Sequence, residues 1–118
     1  MLLPEEDNIY GCKNLTPPES ALTTKIVWLV KRGVCTYSKK AFISQQSGAY
    51  SVLVYHNDAF VDISTVIPCA DSIYNNVEIP IILISNKNGE ELKDRISSFN
   101  DVLINIDIDT PGELAAVV

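Results

Sequence analysis

The chain has 118 residues, with nine lysines and arginines against fifteen aspartates and glutamates, a formal charge of −6. That surplus repels phosphate backbones and disfavours nucleic acid as a partner, and the small basic pairs Lys31-Arg32 and Lys39-Lys40 do not reverse it. A 47% apolar, 20% charged composition fits one globular core, while the longest apolar runs fall well short of the ~20 residues that span a bilayer.

Met1 to Asn8 is acidic and lacks the basic, apolar, small-residue order of a signal peptide. The chain therefore reads as a single domain over residues 1–118, a fragment of a larger protein. Asn14-Leu15-Thr16 is an N-glycosylation sequon, and Pro17-Pro18 marks a loop. Ile26 to Val30 is β-branched or aromatic and stops at Gly33, as a buried strand does. Ser38 is expected to cap a first helix, about residues 38–47, with Gly48 in the left-handed position past its end. Ser51 to Tyr55 is again strand-like, completing one βαβ unit. Residues 57–76 read as a loop in which Val61 to Ile67 could add a short strand. Ile79 to Ser85 is a strand with Pro80 near its start, where a missing amide does least harm. Asn86 or Asn88 is expected to cap a second helix, about 88–98, with Leu92, Ile96 and Phe99 on one face. Asp101 to Asp109 alternates as a half-buried strand does.

Certain of these residues also resemble a family. Arg32-Gly33-Val34-Cys35-Thr36-Tyr37, the Lys40-led helix, Gly48-Ala49 and the Ile79-Pro80 strand followed by Gly89-Glu90-Glu91-Leu92 have the order and spacing of the protease-associated domain. With Gly11-Cys12 upstream, the resemblance covers about residues 10–97. Ser44 and Ser47 stand where small alanines are usual, and His56 where a strand-ending Asn is expected. The resemblance implies a compact α/β sandwich with a central mixed sheet and two main helices. It also implies a Cys12–Cys35 disulfide, as in luminal members, which would leave Cys69 unpaired. In a reducing compartment all three cysteines would simply be small apolar residues.

Catalytic chemistry is nearly absent from the sequence. His56 is the one histidine, no His-Glu-x-x-His or Gly-x-Ser-x-Gly motif exists, and no phosphate-cradling glycine loop is present. No metal and no cofactor are expected. A Cys35–His56 dyad is conceivable, but a disulfide would consume its thiol. Ligands of α/β sheets gather at the carboxyl ends of strands. Those ends supply Lys31, Arg32 and Tyr37, then His56, Asn57 and Phe60, then Asn86, as candidate contacts for a protein or peptide ligand.

By resemblance, such domains occur in vacuolar sorting receptors, in membrane-anchored RING ubiquitin ligases and in signal-peptide-peptidase-like proteins. The first expectation is thus a non-enzymatic binding module facing the secretory or endomembrane lumen or the cell exterior. One alternative is a regulatory lid or insert of a peptidase. Another is a small cytosolic α/β enzyme or regulator, with its cysteines reduced.

Overall fold

A computed structural model describes residues 1–19, 25–65, 76–99 and 114–116. Four strands, β1 (Val27–Lys31), β2 (Ser51–Tyr55), β3 (Ile81–Ile84) and β4 (Leu114–Ala116), form one sheet in the order β1-β2-β3-β4. Helix α1 (Tyr37–Gln46) joins β1 to β2, and α2 (Asn86–Phe99) follows β3. Short 3-10 turns occupy Glu6–Asn8 and Ile63–Thr65. The α/β class is as expected. The pairings of the described strands are all parallel, however, rather than mixed.

In-phase parallel register divides the side chains cleanly between two faces. Trp28, Val30, Val52, Val54, Ile81 and Leu83 face one way and pack with Ala41 and Ile43 of α1. Val27, Leu29, Leu53, Tyr55, Ile82 and Ile84 face the other and pack with Leu92 and Ile96 of α2. A sheet covered on both faces has no solvent side, which is why its strands read as unbroken apolar runs rather than alternations.

Helix boundaries differ from the sequence reading for local reasons. Thr36, not Ser38, caps α1: its backbone is extended and its Oγ1 accepts the Lys39 amide at 3.1 Å. Ser38 is then inside the helix and buried. At the other end Ala49 N–H donates to the Ser44 carbonyl and Gly48 N–H to that of Gln45, with Gly48 at φ 89°. That is a Schellman ending, as the glycine foretold. Ser85 caps α2 by accepting the Asn88 amide at 3.2 Å, so the helix starts at Asn86, ahead of its expected start. Within the expected strand Val61 to Ile67, Val61 and Asp62 are not extended strand, Ile63–Thr65 is a 3-10 turn, and residues 66 and 67 lie outside the described ones. The strand expected over Asp101 to Asp109 and Cys69 also lie outside them.

Two features were not anticipated. The Leu2 amide donates to the Val27 carbonyl and its own carbonyl accepts from Leu29, while the Ile9 carbonyl accepts from Lys31. The first residues thereby line the outer edge of β1. Ser47, in place of the family's alanine, accepts the buried Trp28 indole N–H at 2.8 Å and donates to the Ser44 carbonyl.

Helix α2 sits on β2 because Gly89 has no side chain: a Cβ there would penetrate Tyr55 at its Cβ and Cγ. Tyr55 is fixed at that point by the strand, so the helix would have to move. Gly89→Ala should therefore destabilise the domain by about 2 kcal/mol, overpacking outweighing the gain of about 1 kcal/mol in helix propensity. Urea unfolding measures this, and a variant as stable as the parent would show that the helix seats differently.

Candidate functional site

The carboxyl ends of β1, β2 and β3 lie side by side. The Arg32 amide donates to the Tyr55 carbonyl and the His56 amide to that of Ile84, extending the sheet pairing by one residue on each strand. Asn86, at the start of α2, donates its side-chain amide to the His56 carbonyl at 2.8 Å. Arg32, His56, Asn57 and Phe60, with Asp58, Ala59 and Val61, line an open cleft of about 780 Å³. Phe60 is 99% exposed on its rim.

His56 is buried, and both ring nitrogens face donors. Nδ1 lies 2.9 Å from the Asp58 amide, and Nε2 lies 2.9 Å from Arg32 Nη1. A neutral imidazole has a single lone pair to offer, so it accepts from the Asp58 amide or from the guanidinium but not from both. Arg32 is exposed, so the guanidinium N–H groups turned away from His56 can reach an outside acceptor. Asp58 adds a second local brace, its Oδ1 accepting the Phe60 amide at 2.9 Å.

The turn after β1 is held more tightly. Its Cys35 is joined to Cys12 by a disulfide with Cα atoms 6.0 Å apart. The 23-residue separation corresponds to a stabilisation of about 3 kcal/mol in a loop-entropy account. This removes the thiol that a Cys35–His56 dyad would need. Cys35 N–H donates to the Gly33 carbonyl two residues back at 2.8 Å, which makes Val34, at φ 70°, the centre of a γ-turn. Val34 is 83% exposed.

Lys40 anchors the same turn from beneath. It is fully buried, and its ammonium donates to the Tyr10 carbonyl at 2.6 Å and the Gly33 carbonyl at 2.7 Å. The Tyr10 ring lies 5.6 Å from the charge. Burial pushes the Lys40 amine down from 10.5 to about 8. Asn8, also buried, organises the preceding loop by donating to the Lys13 and Asn14 carbonyls and accepting the Lys13 amide.

Four of the seven residues expected at the strand ends, Arg32, His56, Asn57 and Phe60, thus meet around one cleft. Asn86 stands behind them as a brace. Tyr37 is half-buried against the α1-side core, and Lys31, half-buried at the end of β1, does not line the cleft. Sequence reasoning gave Val34 no role of its own and named Lys40 only as one of a basic pair and as the residue that leads the helix motif. Val34 has no local signal beyond its place between Gly33 and Cys35. For Lys40, its company on α1 with buried Ser38, Ala41 and Ser44 was the available hint.

Comparison with known proteins bears on the family and the fold. A family model described as PA domain matches residues 3–92. Vacuolar-sorting receptor 1 of Pisum sativum is 34% identical over 110 residues, covering 86% of this chain and 17% of the receptor. Vacuolar-sorting receptor 5 of Arabidopsis thaliana is 31% identical, covering 83% and 16%, and receptor 2 of that plant is 30% identical, covering 85% and 17%. The chain spans about a sixth of the length of these relatives.

The lysine gives a pH signature. The unfolded chain holds this proton to about pH 10.5 and the folded chain only to about 8, so between those values the unfolded state binds more protons. Stability from this group should rise with pH across that window and stay level below it. Lys40→Met should cost about 1–3 kcal/mol near neutrality, because it leaves the Tyr10 carbonyl unpaired. The difference in unfolding free energy between parent and variant, followed from about pH 6 to 10, should widen above 8. A difference that stays flat would mean that the amine titrates normally.

Proposed function

This chain belongs to the PA domain family, and on that premise we propose that it is a non-catalytic module that binds a protein or peptide ligand within a sorting receptor. The proposed setting is the secretory or endomembrane lumen or the cell exterior. One observation carries the reading: an exposed Arg32 and a fully exposed Phe60 share the lining of a single cleft. A guanidinium recognises backbone carbonyls and carboxylates, and an aromatic ring covers apolar side chains, the mixture typical of peptide-reading surfaces. The disulfide fits an oxidising compartment. The receptor names of the relatives favour this setting over an insert in a peptidase.

The test is capture of displayed random peptides, about a dozen residues long, by the disulfide-intact domain. Arg32→Glu should weaken capture about tenfold or more while leaving the melting temperature nearly unchanged, since the side chain is exposed. Tyr37→Ala should instead lower the melting temperature, because that ring packs on the core. Peptides captured equally well by the Arg32 variant would remove the cleft as the binding site.

Asn14 belongs to the same proposal. Asn14 and Thr16 are exposed while Leu15 between them is buried, so both sequon side chains point outward from irregular backbone. We propose that Asn14 carries an N-linked glycan. Protein from a secretory host should show one amidase-sensitive glycan, lost in Asn14→Gln, and no alkylatable thiol at Cys12 or Cys35. An unmodified chain with both thiols free would contradict luminal residence.

A further inference from the structure

Val34 combines three properties that rarely coincide. Its φ of 70° is one that β-branched residues avoid, its side chain is 83% exposed, and its backbone is pinned on both sides. The Gly33 carbonyl takes hydrogen bonds from both the Cys35 amide and the Lys40 ammonium, and Cys35 is tied to Cys12. Glycine would satisfy this conformation without strain. Burial does not explain valine either, because so little of the side chain is covered. Strain that the surroundings impose on an exposed residue is a recognised mark of a functional position.

We propose that Val34 is a ligand anchor, fixed in advance to receive an apolar side chain of the bound peptide, with Arg32 of the same turn holding a peptide carbonyl or carboxylate. This rests on the peptide-binding reading above and deepens it by naming the ligand class: peptides with an aliphatic or aromatic residue at one required position. A β-branched side chain has one stiff rotamer choice and little entropy to lose. A γ-turn held by a disulfide and a buried ammonium has little backbone freedom to lose. Both lower the ordering cost that normally erodes affinity. Phe60, exposed on the rim of the adjoining cleft, extends the apolar surface available to the same ligand.

Val34→Gly separates this role from a structural one, because glycine suits the turn and deletes only the anchor. Random displayed peptides of about a dozen residues are selected on the parent domain, sequenced, and titrated against Val34→Gly, Val34→Asp and Arg32→Glu. The selected peptides should share an apolar position, and Val34→Gly should weaken them about tenfold, the worth of one buried valine. Its melting temperature should hold or rise by a few degrees as strain is relieved. Val34→Asp should weaken binding further. Peptides that lose affinity with Arg32→Glu but not with Val34→Gly would overturn this inference and leave the cleft standing. Peptides indifferent to both variants, or no selected peptides at all, would overturn the cleft as well. A drop in melting temperature in Val34→Gly would show that the valine holds the turn instead.

Discussion

The buried ammonium of Lys40 is the interaction on which the rest of this domain turns. A charge removed from water is tolerated only where hydrogen bonds replace the lost hydration. Two backbone carbonyls do so here, that of Gly33 in the turn just ahead of the helix and that of Tyr10 far from both in sequence. Among the described residues no carboxylate pairs with it. Its partners are therefore fixed dipoles, and the ammonium can be satisfied only when helix α1, the N-terminal loop and the turn after β1 are all in place. The disulfide joins two of those three segments covalently. The lysine adds the third.

This arrangement braces the loops at one end of the sheet. The turn is constrained at its base and exposed at Val34, and the neighbouring loop is constrained by His56, Asp58 and Asn86 while exposing Phe60. The polar atoms near the rim are mostly committed to holding loops. Arg32 is exposed beside them. Such a division suits recognition, in which the cost of ordering is met during folding rather than on contact.

The strands and helices were legible because their signals are local: apolar runs bounded by Gly33 and Gly48, and capping side chains near each helix start. The caps moved by one to three residues because Thr36 and Ser85 compete with equally plausible neighbours, and only backbone conformation decides between them. Helix α1 shows where pattern reading fails. Its inward face carries Ser38, Lys40 and Ser44, so it has almost no apolar stripe, and the serine at 44 is satisfied by the Lys40 carbonyl within the helix. The family resemblance, not periodicity, marked that lysine as notable. The gathering of Arg32, His56, Asn57 and Phe60 followed from a topological rule. Val34 did not, because a positive φ at a non-glycine residue is set by tertiary restraints that leave no trace in composition.

The placement of Leu2 and Ile9 along β1 has a consequence of another kind. Open strand borders are where sheets recruit foreign chains, through donor-strand insertion or runaway polymerisation. On this border the backbone groups of Val27, Leu29 and Lys31 are already engaged by the domain's own first residues. A visiting segment would have to peel those residues away before it could zip onto this border.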